Sequence, residues 1–160
     1  MKLKKNKNFL LVLIPILVLI DQLSKKWALN NIFFNQNYIE VNKFLNFTPV
    51  WNKGISFGMF SDFTNVNFFM TIITSIIILI IFFWIIRVKN IILNLSLLLI
   101  ISGAIGNLID RLKYQAVVDF IDFHINNFHW PVFNLADSYI TLGASMYIFV
   151  IFTSQKNNIA

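Results

Sequence analysis

FFMTIITSIIILIIFFWII, residues 68–86, contains no charged residue and only three hydroxyl side chains, Thr71, Thr74 and Ser75. A run this long and this apolar reads as a membrane-crossing helix. It decides the class of the whole chain, because its neighbours follow the same pattern. Arg87-Val88-Lys89-Asn90 closes it with a short basic turn, and a second apolar run begins at Ile91. The chain is 58% hydrophobic and only 12% charged, which is more apolar surface than a soluble domain of 160 residues can bury.

Working outward, the expected architecture is an all-α integral membrane protein with four transmembrane helices, at about residues 9–29, 68–86, 91–112 and 136–152. The outer loops are 30–67 and 113–135, and residues 1–160 form a single membrane-embedded domain. Lys2, Lys4, Lys5 and Lys7 precede the first run, Arg87 and Lys89 separate the second and third, and Lys156 follows the fourth. This positive-inside pattern places both termini in the cytoplasm. It also accounts for the net charge of +6 without a nucleic-acid partner. A signal peptide is not expected at Phe9–Ile20, because Asp21-Gln22-Leu23-Ser24-Lys25-Lys26 stands where a small-residue cleavage site would be. The first outer loop is Asn-rich, with alternating segments punctuated by Pro49, Gly54 and Gly58. It reads as a small extracytoplasmic sheet or β half-barrel (cradle) resting on the membrane surface, with the second loop as a second outer element.

That topology puts the expensive polar residues in one leaflet. Span one carries Asp21 and Lys25 outward, roughly 18 Å along the helix from Phe9 for Asp21. Span three carries Asn107, Asp110 and Arg111 outward, and span four begins outside at Asp137. Asp21 and Lys25 have the i, i+4 spacing of a helical ion pair. They read either as a local pair reaching to the interface or as a brace beneath a site, and neither as catalytic. Gly103, Asn107 and Asp110 share one helical face, where small residues allow a second helix to approach. Asn107 and Arg111 then point between the helices, as substrate-binding candidates or as packing and interfacial residues.

Cysteine is absent, which removes disulfides, thiolate metal sites and a thiol nucleophile. Ser102 and Ser138 lack a nucleophile-elbow context. His124 and His129 read as interfacial aromatic-belt residues rather than metal ligands, and no cofactor is expected. Carboxylates remain. The segment 117–137 holds Asp119, Asp122 and Asp137, three of the seven acidic residues in the chain. Helix capping or a turn is the plain reading for each alone. Two aspartates held close share a proton, and the ionised member can then activate water. Asp137 pairs with either Asp119 or Asp122 on this reasoning.

Five motifs in order are similar to those of the lipoprotein signal peptidase family, also called signal peptidase II. They are Asp21-Gln22-x-Ser24-Lys25, Asn52-x-Gly54-x-x-Phe57, Gly103-x-x-Gly106-Asn107-x-x-Asp110-Arg111, Val117-Val118-Asp119-Phe120 and Phe133-Asn134-x-Ala136-Asp137. The resemblance implies an aspartyl endopeptidase of the bacterial inner membrane with its site at the outer face. Its substrate would be a prolipoprotein, cut just before a diacylglyceryl-modified cysteine, with membrane lipids around it. It maps the catalytic pair onto Asp119 and Asp137. It maps support onto Asp21, Lys25, Asn52, Gly54, Asn107, Asp110, Arg111 and Asn134. Ser56 departs from the alanine common in the family. Two other classes stay in view. A proton channel would carry polar residues through the depth of every span, which residues 68–86 do not. An assembly factor would use the aspartates only as caps.

Overall fold

Helix α3, Ile91–Tyr114, is the axis of the molecule in a computed structural model that describes residues 7–34, 38–54 and 65–156. It starts where Asn90 accepts hydrogen bonds from the Ile92 and Leu93 amides at 2.8 and 3.2 Å, an asparagine N-cap. It ends at Gln115, whose φ of 58° turns the chain out of the helix. Around it pack α1 (Leu13–Ala28), α2 (Val66–Arg87) and α4 (Leu135–Lys156). Over their most apolar windows, α3 is 56% buried while α2 and α4 are each 11% buried. Phe68, Ile72, Ile76, Leu79, Phe83 and Ile86 of α2 are all exposed. An apolar helix that leaves most of its surface exposed is stable in lipid and not in water.

Among the described residues, three helices are long and apolar enough to cross a membrane: Val66–Arg87, Ile91–Tyr114 and Leu135–Thr153. The first expected span, 9–29, is a composite. A 3₁₀ segment, Lys7–Val12, leads into the 16 α-helical residues of α1, and a π-helical turn, Leu29–Phe33, continues them. Its base is tied to the bundle by Leu10, which joins Ile81, Ile85, Leu97, Leu98 and Ile101 in one buried apolar cluster. Lys2, Lys4, Lys5, Ser56, Phe57 and Gly58 lie outside the described residues.

Small residues let α4 approach α3 closely. A Cβ added at Gly103 would collide with the Ala136 carbonyl oxygen, and one at Gly143 would lie 2.5 Å from the Ser96 carbonyl oxygen. Gly106 faces α1 instead, where an added Cβ would lie 2.5 Å from Asp21 Oδ2. The motif's glycines are therefore spacing devices for two neighbours at once.

Both outer segments contribute strands to the small sheet expected outside the helices. They form one four-stranded antiparallel sheet, ordered β1 (Ile39–Asn42), β2 (Leu45–Asn52), β3 (Val117–Ile125), β4 (Phe128–His129). The reason is that α1 and α3 end side by side, locked by a Lys25–Asp110 ion pair of 2.8 Å. The chain leaving each helix end finds the other as its strand partner. A bulge interrupts the β2–β3 ladder: Thr48 and Pro49 lie between the Phe47–Ile121 and Val50–Asp119 pairs and together oppose Phe120. Proline has no amide to donate, so it is at home there. The sheet is seated on the helices by aromatic edges, Trp27 on Phe47 at 5.2 Å and Trp51 on Tyr114 at 5.7 Å.

Candidate active site

Beneath the sheet, Lys25 is 2% exposed and lies 3.0 Å from Asp21 and 2.8 Å from Asp110. It does not reach out to the interface. Both carboxylates do further work. Asp21 Oδ1 accepts the Ala136 amide at 2.9 Å, in the first turn of α4. Asp110 Oδ2 accepts the Val118 amide at 3.2 Å, at the start of β3. One ammonium with two carboxylates thus couples α1, α3, α4 and the sheet. Unpairing such a buried charge costs about 3–5 kcal/mol. Gln22 completes the group, donating to Asp110 Oδ1 at 2.9 Å and to the Gly106 carbonyl at 3.2 Å. Sequence reasoning quoted Gln22 within a motif and gave it no role. Its position three residues before Lys25 on the same helical face was the available signal.

Above this base, three asparagines are each held by a group that can only donate. Lys25 Nζ donates to Asn107 Oδ1 at 3.0 Å. The Asp137 amide donates to Asn134 Oδ1 at 2.9 Å, and the Gly54 amide to Asn52 Oδ1 at 3.1 Å. Each fixed oxygen turns its amide NH₂ the other way, and each NH₂ meets a carboxylate. Asn107 Nδ2 donates to Asp137 Oδ1 at 2.7 Å. Asn134 Nδ2 donates to Asp119 Oδ1 at 2.7 Å, and Asn52 Nδ2 to Asp119 Oδ2 at 3.0 Å. Asn134 Nδ2 also reaches Asn107 Oδ1 at 3.1 Å, which closes the network.

The local structure explains these placements. Val50 pairs directly with Asp119, so Asn52, two residues further, lies on the face that Asp119 occupies. Asn134 precedes α4 and caps it: the Asn134 side chain takes the Asp137 amide, and Asp137 Oδ2 takes the Asn134 amide at 3.3 Å. This is a reciprocal capping box. The capping reading of Asp137 therefore holds alongside any other role. The turn reading of Asp119 does not, because the residue sits within β3.

Asp119 is 1% exposed. Burial, and next the nearby charge of Asp137, push its carboxyl up to about 7, against the amide donors of Asn52 and Asn134. A carboxyl group titrating near neutrality can hold or release a proton under working conditions. Asp122, three residues on, leaves the opposite face of the strand. It accepts from Thr48 Oγ1 at 3.2 Å and lies 2.8 Å from His129 Nδ1. His124 stacks on His129 with ring centres 5.0 Å apart. The two histidines thus tie β3 to β4. Thr48 and His129 as partners of Asp122 had no sequence signal, because only the bulge and the hairpin bring them there.

Asn107 and Arg111, both expected to face a substrate, separate in the structure. Asn107 has spent both ends of its amide on Lys25, Asn134 and Asp137. Among the described residues, Arg111 makes no side-chain hydrogen bond or ion pair, and its Nε is buried without a partner. The guanidinium is within electrostatic reach of Asp137, Asp119 and Asp110. An apolar hollow of about 470 Å³ is lined by Phe44, Phe123, His124, Ile125, Phe128, Trp130 and Phe133. None of the residues that hold Asp119 and Asp137 lines it.

The family model described as signal peptidase (SPase) II matches residues 13–153. The chain is 38% identical over 138 residues to a lipoprotein signal peptidase of Anaplasma phagocytophilum (strain HZ), covering 86% of this chain and 88% of that one. It is 38% identical over 144 residues to a lipoprotein signal peptidase of Clostridium tetani (strain Massachusetts / E88), covering 88% and 90%. One solved structure, described as a bacterial membrane enzyme, superposes with a TM-score of 0.80 at 32% identity, covering 92% of this chain and 90% of that chain.

Proposed function

The chain belongs to the signal peptidase II family, membrane peptidases that remove signal peptides from prolipoproteins, and from that premise we propose that it is an aspartyl endopeptidase working through Asp119 and Asp137. The observation that carries the proposal is the Asn134 bridge. One asparagine donates to Asp119 at 2.7 Å and accepts the Asp137 amide at 2.9 Å, while burial and the Asp137 charge push Asp119 up to about 7.

The chemistry follows from one proton shared by two carboxyl groups. The ionised carboxylate takes a proton from water as the water oxygen attacks the scissile carbonyl carbon. The protonated carboxyl gives its proton to the carbonyl oxygen. Collapse of the tetrahedral species returns a hydroxyl proton to the carboxylate that had given one up, re-forms the carbonyl and breaks the C–N bond. The leaving amine takes up a proton from the pair, which returns to its starting state. Arg111, whose Nε is buried without a hydrogen-bond partner among the described residues, is suited to a substrate carbonyl or a lipid headgroup oxygen.

Residues 1–160 act as a single peptidase domain in this reading, with α1 and its flanking turns as a fourth span and both termini cytoplasmic. The sheet and the carboxylates then lie at the outer face of the bacterial inner membrane. The substrate is a prolipoprotein carrying a diacylglyceryl-modified cysteine. Its lipid chains stay in the outer leaflet while the bond before that cysteine enters the site. The test compares two synthetic precursors, identical except for the diacylglyceryl group, with purified protein in detergent. Cleavage of the modified precursor alone, before the cysteine, is expected. Equal cleavage of both contradicts the lipid requirement.

A further inference from the structure

The proposal of a working carboxylate pair leaves open which member holds the proton, and the donor geometry bears on that question. An ammonium has three donors and no acceptor. Lys25 uses them on Asp21, Asp110 and Asn107 Oδ1. The Asn107 amide therefore has one permitted orientation, with its NH₂ on Asp137 Oδ1 at 2.7 Å. The hydrogen bond from a cation into the amide oxygen also polarises the amide and strengthens its NH₂ as a donor. The second oxygen of Asp137 accepts the Asn134 amide. Asp137 stands in the first turn of α4, where the helix dipole favours negative charge, and it keeps partial exposure to the surroundings. Asp119 has two amide donors as well, but from neutral side chains, on a strand with no helix end, and with 1% exposure. The cation-polarised donor, the helix end and the greater exposure favour the charge on Asp137, and they outweigh the slightly shorter second donor contact at Asp119, 3.0 against 3.3 Å.

We infer that Asp137 is the resting carboxylate that takes the proton from water, that Asp119 holds the shared proton, and that Lys25 is the positioning residue that sets this division through Asn107. The inference rests on the two-carboxylate reading above. The charged groups facing Asp137 are Asp119 from β3 and Arg111 from α3; Lys25 from α1 reaches it through Asn107, while its charge, largely neutralised by Asp21 and Asp110, also acts on Asp119.

The experiment is the pH profile of kcat/KM on a lipid-modified precursor in detergent. A working pair gives a bell whose acid limb reports protonation of the base and whose alkaline limb reports loss of the acid's proton. Asn107→Ala removes a donor from Asp137 and leaves the Asp21–Lys25–Asp110 group intact. The expected result is an acid limb moved to higher pH by about one unit, the scale of one hydrogen bond to a charged group, with the alkaline limb in place. Asn52→Ala removes a donor from Asp119, and its expected effect is an upward move of the alkaline limb alone. Lys25→Met combined with Asp110→Asn should reproduce the Asn107→Ala shift. If that pair folds and leaves the acid limb in place, Lys25 is a brace only. If it does not fold, Asn107→Ala decides, because it removes the same donor. Exchanged limbs, or limbs that do not move, overturn the division of roles. Asp119→Asn and Asp137→Asn run alongside. Turnover retained in either one sinks the carboxylate pair itself, and turnover lost in both with exchanged limbs sinks only the assignment.

Discussion

Lys25 Nζ lies 3.0 Å from Asn107 Oδ1 and thereby decides which way a buried amide faces. The two residues are on different helices, and the contact joins a salt-bridged base to the carboxylates above it. Structure and chemistry meet at this atom pair, because the same ammonium neutralises Asp21 and Asp110.

Lys25→Met should therefore lower the stability of the protein by about 3–5 kcal/mol, since it leaves two carboxylates buried without a cation. Adding Asp110→Asn to the same chain should recover part of the loss. Thermal unfolding in detergent measures both. A Lys25→Met protein as stable as the wild type would show that the buried group is not a brace.

Asp119 makes stability depend on pH with a definite sign. Its carboxyl is raised from 3.8 to about 7, so between those values the folded state holds a proton that the unfolded state has lost. Stability from this group is complete below about pH 4 and is lost as the pH rises through about 7, at up to about 1.4 kcal/mol per unit. Asp119→Asn should flatten that slope and unfold at a higher temperature than the wild type at pH 8. Melting curves from pH 4 to pH 8 on the two proteins check it, and parallel slopes would contradict the burial argument.

How much of this was legible beforehand depended on the range of the interaction. The apolar runs marked α2 and α3 to within two residues at each end and α4 to within four, because a span is a local property of composition. The start of the chain was less clear. Lys7–Val12 is 3₁₀ and Leu29–Phe33 is π-helical, and a hydropathy run does not distinguish these from α-helix. The sheet was half legible. Alternation marked strands, but the pairing of Asn46 with Asp122 joins segments that no local pattern connects. Asn107 was found and its partners were not, because what faces a side chain across a helix interface is not written in its own neighbours. The Asp119–Asp122 ambiguity is one of strand parity: β3, continuous through both, puts the two side chains on opposite faces.

Asp122 offers the control for that ambiguity. It is engaged with Thr48 and His129 on the far side of β3 from Asp119. Asp122→Asn should keep turnover within about threefold of wild type while weakening the attachment of β4, with a stability loss of about 1–2 kcal/mol. Loss of turnover at unchanged stability would return Asp122 to the candidates.

Arg111 should behave as a ligand-facing residue rather than a helix-end brace. Asp110 pairs with Lys25, and among the described residues the Arg111 side chain makes no hydrogen bond or ion pair, its Nε being buried without a partner. Arg111→Ala is expected to raise KM about tenfold, the scale of one lost hydrogen bond to a charged group, with the melting temperature nearly unchanged. Cleavage rates across substrate concentration, with melting curves beside them, separate the outcomes. A fall in stability that tracks the fall in activity would make Arg111 structural.

The central claim is that Asp119 and Asp137 perform the hydrolysis together. The measurement is cleavage of a diacylglyceryl-modified precursor by purified Asp119→Asn and Asp137→Asn proteins, each first shown to be inserted and folded by its melting curve. Asparagine keeps the shape while removing the ionisable proton, so both variants should still insert and fold and should lose turnover by about a thousandfold or more, as expected when one member of a catalytic unit is removed. Near wild-type turnover in either folded variant would contradict the account.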